Sequence, residues 1–149
     1  HRALLWPADP HQRPRCPGGS RPFDVPVTFT HYARDADGDD FAPIVPAPVA
    51  RDLDRMFPPN GAKLLFYGHN HLPSDEQGRT RYVNPGSLGC SSEAEARFAI
   101  LEIDDEGEYV LEQHTVPYDP TELFRQFALR EVPERDFILG TIFRQQAAS

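Results

Sequence analysis

Residues 63–71 read Lys-Leu-Leu-Phe-Tyr-Gly-His-Asn-His, a short apolar run that meets a glycine and then two histidines separated by one residue. An apolar run this short is consistent with a strand buried inside a sheet. Gly68 closes the run and is expected to let the backbone turn as it leaves the sheet. In an extended segment, side chains two positions apart leave the same face. His69 and His71 are therefore expected to point into one pocket, and neutral imidazoles are common ligands for Zn, Mn, Fe and Ni.

Working outward, the upstream stretch Val25–Thr30 (VPVTFT) is rich in β-branched and aromatic residues and reads as a strand. It ends at His31, which thereby takes the same position after a strand as His69. In open α/β sheets, groups at the carboxyl ends of neighbouring strands converge on one crevice. One histidine after a strand is usually a loop residue, but GHNH together with His31 favours a metal site. Between the strands, Val49, Leu53, Met56 and Phe57 fall on one helical face, and Pro58-Pro59-Asn60-Gly61 ends that helix.

Downstream, Thr80–Asn84 reads as another short strand running into the turn Asn84-Pro85-Gly86-Ser87. Arg97–Ile103 and Tyr109–Val116 flank Asp104-Asp105-Glu106-Gly107, which signals a hairpin. Asp119-Pro120-Thr121-Glu122 starts a helix with an Asx cap, proline at N1 and glutamate at N3. Leu123, Phe124, Phe127 and Ala128 supply its apolar face, and a last helix is expected over roughly 135–145. The order is that of an α/β protein whose second part turns antiparallel. No linker divides the chain, so residues 1–149 are expected to form a single domain.

Composition narrows the function classes. The net charge of −8 argues against a nucleic-acid backbone as partner, since such binding relies on clustered Lys and Arg. It leaves room for a phosphorylated small molecule, because bound metal supplies positive field locally. No apolar run approaches the roughly 18 residues of a membrane span, and no signal peptide is visible. Cys16 and Cys90 are too few for a disulfide framework and read as reduced thiols of a cytoplasmic protein. Most of the sixteen prolines lie in the first sixty residues. That third is expected to be loop-rich, resting on something else rather than forming its own core.

LLFYGHNH, then RYVNPGSLG, then a hairpin ending HTVPYD and a capped helix resemble the calcineurin-like metallophosphoesterase family, especially its small bacterial and archaeal members. The resemblance runs from about Val25 to Phe127. It implies part of a two-sheet sandwich flanked by helices and a hydrolase acting on a phosphate mono- or diester. It also implies two divalent metal ions (Mn, Fe, Zn or Ni), with His31 and His69 on one and His71 on the other. Asn84–Leu88 would match the NPGS turn beside the site.

The family's earlier motifs, D-x-H, GDxxD and GNH, should precede His31. Asp9-Pro10-His11 spells the first but sits in a proline-rich loop, with no GDxxD between it and His31. Gly38-Asp39 lies after His31 and lacks the final aspartate; the acidic stretch from Asp35 also fails as an EF-hand, with Asp40 sixth and Pro46 twelfth. The chain is therefore expected to begin where the first half of the fold ends. His1-Arg2-Ala3-Leu4-Leu5 resembles the residues after Gly-Asn in the third motif, which would make His1 the catalytic histidine near the leaving group; a processing remnant reads equally well.

Three histidines without carboxylates make a poor dinuclear site, so these residues by themselves are expected to bind metal weakly and hydrolyse little. The expected complement is a companion N-terminal segment or a second copy, because a sheet cut midway exposes an unpaired edge. Two other readings stay open: an interaction scaffold with an incomplete site, and a single structural zinc that lacks suitably spaced cysteines. His114, mid-strand, reads as structural, and Cys90 as a buried inert thiol.

Overall fold

Leu64, Leu65 and Phe66 are all buried because their strand lies inside a sheet covered on both faces. The computed structural model describes residues 25–144. Their elements run β1 (Val27–Phe29), α1 (Ala50–Met56), β2 (Leu64–Phe66), β3 (Ser74–Gln77) and β4 (Arg81–Asn84). The chain continues through β5 (Glu95–Ile103), β6 (Tyr109–Pro117), α2 (Thr121–Leu129) and α3 (Arg135–Thr141). The first sheet has the order β1-β2-β4-β3, with β1, β2 and β4 parallel and β3 antiparallel on β4. The second is the β5–β6 hairpin. This is the α/β organisation with an antiparallel C-terminal region that the sequence suggests.

Alternation along β2 divides the core in two. Leu65 and Tyr67 face α1 and the segment after β1, packing with Tyr32, Ala33, Leu53, Phe57 and Tyr82. Leu64 and Phe66 face the opposite way with Val83, and Ala99, Leu101, Tyr109 and Leu111 of the hairpin cover them. A fully buried leucine of this kind contributes about 1.5–3 kcal/mol.

Some expectations shift in detail. On α1, Leu53 and Phe57 are buried, but Val49 is exposed at the helix start. Residues 25–48 are loop-rich as expected, yet they supply core: Tyr32 is 2% exposed, and its hydroxyl accepts from the Val45 N–H at 3.0 Å. β3 has no apolar signal in its sequence, Ser-Asp-Glu-Gln. It forms because its backbone completes β4, while the half-buried Glu76 carboxylate accepts from the Ala50 N–H at 3.2 Å; charged residues on an edge strand are the usual protection of a sheet edge. The Arg81 guanidinium clasps Asp75 through two bonds of 2.8 and 2.7 Å.

The N-cap of α2 is Pro120, one residue later than expected and without a side-chain cap bond; the Asp119 carboxylate accepts from the Thr121 N–H at 2.9 Å just ahead of it. Glu122, in the first turn, accepts from Arg125 and Gln126. Phe124 and Phe127 of α2 meet Phe143 edge-on. The reading of Cys16 and the end of the last helix at 145 lie outside the described residues. No helix among the described residues is long and apolar enough to cross a membrane.

Candidate functional site

Because β1 and β2 are parallel neighbours, the chain leaves both at the same end of the sheet. The Thr30 N–H donates to the Phe66 carbonyl at 2.9 Å, and the Gly68 N–H to the His31 carbonyl at 2.8 Å. The ladder thus continues one step past the strands and locks the two histidine loops together. His31 Nε2 and His69 Nδ1 come to 3.0 Å. Phe41 packs against both rings, and Tyr32 against that of His69. Burial lowers the His31 pKa, and the nearby His69 and His71 lower it further. A neutral imidazole keeps a lone pair for a ligand or a hydrogen bond.

As they stand the two rings are at hydrogen-bond distance, and the same spacing would suit a shared metal ion. Two nitrogens bound at about 2.1 Å and at right angles stand about 3.0 Å apart, and imidazole suits Zn, Mn, Fe or Ni. Among the described residues, no group of three His, Cys, Asp or Glu assembles as a ligand cluster.

The GHNH loop is not extended. His69 and His71 both have left-handed backbone, with φ of 71° and 58°. Gly68 does not carry the positive φ, and a Cβ there would meet the His31 carbonyl oxygen only at an ordinary 3.6 Å. The turn after β2 therefore falls on the histidines themselves, a conformation uncommon outside glycine. Coiling sends the two side chains to different surroundings. His69 joins His31, whereas His71 lines an open cleft of about 380 Å³ with Leu72, Cys90, Ser92, Arg97 and Arg144.

Asn84, at the end of β4, is the buried polar residue of this region. Its Nδ2 donates to Asn70 Oδ1 at 2.5 Å, and its Oδ1 accepts from the Gly86 N–H at 2.9 Å. One amide thus ties the histidine loop to the Asn84–Ser87 turn. Gly86 is required there: its φ is +90°, and a Cβ would lie 3.1 Å from Arg97. The Arg97 N–H donates to the Ser87 carbonyl at 2.8 Å, fastening the turn to β5.

His1 and Asp9-Pro10-His11 lie outside the described residues. His114 stacks on its register partner Phe98 in the hairpin. Burial raises the Cys90 thiol pKa, which suits an inert thiol although it lines the His71 cleft. The acidic loop folds on itself: the Asp35 N–H donates to the Asp40 carbonyl, and the Asp35 carboxylate accepts from the Asp39 N–H. Sequence reading overlooked Phe41, Tyr32 and the side chain of Asn70. The first two lie in irregular stretches without periodicity, and Asn70 occupies the position between two more conspicuous residues.

No curated protein matches this chain. Among solved structures, a hypothetical protein from Pyrococcus horikoshii OT3 is similar over 80% of this chain and 46% of its own, at 20% identity and a TM-score of 0.61. A metallophosphoesterase from Sphaerobacter thermophilus is similar over 84% of this chain and 56% of its own, at 20% identity and a TM-score of 0.56. These likenesses bear on the fold, and the chain spans about half the length of the solved structures it matches. The sequence profile of the calcineurin-like phosphoesterase superfamily domain matches residues 22–106, more than half of the 149. With that match beside strand-end histidines and the Asn84–Ser87 turn, the chain belongs to the calcineurin-like phosphoesterase superfamily.

Proposed function

We propose that this chain serves in metal-dependent hydrolysis of a phosphate mono- or diester, on a phosphorylated small molecule in the cytoplasm. The centre would hold two divalent ions (Mn, Fe, Zn or Ni), with His31 and His69 as ligands of one and His71 of the other. The observation that supports this best is the 3.0 Å approach of His31 and His69 from the ends of adjacent parallel strands. When bound, such ions supply Lewis acidity at the phosphoryl oxygens and an activated water at neutral pH.

The chain's own residues do the holding. Backbone bonds fix the two loops, Phe41 and Tyr32 limit ring rotation, and the cleft beside His71 gives the ester room. Residues 1–149 would act as one domain, the C-terminal part of the fold, with carboxylates from a companion N-terminal segment completing the shells. His1, which lies outside the described residues, would by the family resemblance be the catalytic histidine that serves the leaving group. The net charge of −8 gives no overall attraction for a phosphate, and beside Arg97 and Arg144 of the cleft the ions would supply most of it.

The test is turnover of bis-nitrophenyl phosphate with added Mn, alongside metal analysis. His69→Ala should lose metal and turnover together, and retention of both contradicts the assignment. A wild-type protein that takes up no metal and still captures a protein partner favours the second reading, an interaction scaffold on the same fold. Among the described residues the incomplete ligand cluster is the observation on its side.

A further inference from the structure

We infer that Asn70 is the positioning residue that holds both loop histidines in their left-handed conformations, an inference that rests on the metal-ligand reading above. Asn70 stands between them, and a turn about each one closes on it. Its N–H donates to the Gly68 carbonyl at 2.9 Å, across His69 with its φ of 71°. An i→i+2 bond with that φ belongs to the rare, strained form of γ-turn. Its side-chain Oδ1 accepts from the Leu72 N–H at 3.4 Å, across His71 with its φ of 58°. That is an Asx-type turn, the local bond asparagine makes readily.

The same oxygen accepts from Asn84 Nδ2 at 2.5 Å, and the Asn70 Nδ2 donates to the Val45 and Pro46 carbonyls at 3.3 and 3.5 Å. One amide therefore joins three segments: its own loop, the end of β4 and the stretch before α1. Strained backbone persists only where its surroundings over-determine it, and here Asn70 makes those contacts. The chemistry asks for an amide of this length. Serine cannot reach Val45 while closing the turn on Leu72, and aspartate would set a second acceptor against two carbonyls.

The experiment uses the whole protein in two states. Without metal, an NMR contact between the His31 and His69 rings reports the loop geometry. With Co²⁺ as the probe, visible absorption gives both affinity and ligand field. Asn70→Ala should abolish the ring contact, alter the Co²⁺ spectrum and weaken Co²⁺ binding by about 10–100-fold, the range for an outer-shell partner. Asn70→Ser, which keeps a hydroxyl, should fall between and covers poor folding of the alanine variant. Asn60→Ala is the control. Its amide holds the Ala62 N–H and Thr28 at 3.0 and 3.1 Å, and its loss should leave both readouts unchanged. A surviving ring contact in Asn70→Ala, or an equal loss in Asn60→Ala, overturns the inference. Loss of the ring contact in a protein whose wild type binds no Co²⁺ keeps Asn70 as the positioning residue and removes the metal reading.

Discussion

β2 is three residues long and buried at every position, whereas β5 is nine residues long and leaves Ile100 and Ile103 exposed at 40% and 45%. Both are strands of one chain, packed against each other across Leu64, Phe66 and Val83. The difference lies in what covers them. β2 has strands on both sides, α1 and the Tyr32 segment over one face, and the hairpin over the other. The hairpin has one face on the core and the other toward solvent. A strand fixed on all sides leaves its last residues little freedom, and His69 follows such an end; His31 follows the edge strand β1, which the Thr30 and Gly68 bonds tie to β2. The long hairpin covers the core and anchors the Asn84–Ser87 turn through Arg97; it carries no ligand candidate.

The contrast breaks most directly by truncation in each region. Leu64→Ala should cost about 2–5 kcal/mol in urea denaturation, the range for a buried leucine. Ile100→Ala, on the solvent side of the hairpin, should cost less than about 1 kcal/mol. Equal costs would mean that the hairpin's outer face is covered too.

A smaller effect is expected at the end of β4. Asn84→Ala removes the buried amide, leaves the Gly86 N–H without its acceptor and takes one of two donors from Asn70 Oδ1, at a cost of about 1–3 kcal/mol. A neutral result would show that the turn and the histidine loop hold without it.

The smallest expected effect separates the sheet interior from its edge. The hydrogen bond from Arg81, ahead of its charge, holds the Asp75 carboxyl below the usual carboxylate range. Both side chains are about a third exposed, so the pair contributes no more than about 1 kcal/mol. The carboxyl is more acidic in the folded protein, so its stabilisation is present above the unfolded value of about 3.9. It fades as pH falls through the lowered folded pKa. Asp75→Asn should remove the difference at pH 7 and flatten that part of the acid-stability curve; an unchanged curve would mean the clasp adds nothing.

Much of this arrangement was legible in the sequence where periodicity or turn chemistry speaks. VPVTFT, KLLFY and the Asp104–Gly107 hairpin each carry a pattern that maps to one local structure. β3 was not legible, because Ser-Asp-Glu-Gln forms a strand through backbone pairing with β4 and through Arg81, both remote from its own composition. At the site, the strand ends of His31 and His69 could be read, but the backbone of the GHNH loop could not. Extended geometry is the default after a strand, and the left-handed turns there rest on Asn84, Val45 and Pro46, which are distant in sequence.

In the proposed function, β1 and β2 deliver His31 and His69 to one ion. A double-mutant cycle on Zn²⁺ affinity measures it, with His31→Ala, His69→Ala and both together, and His114→Ala as reference. Ligands of one ion should be strongly non-additive: each single variant should lose most of the affinity, the pair little more, and His114→Ala none. Additive losses, or an effect of His114→Ala equal to the others, would contradict the account.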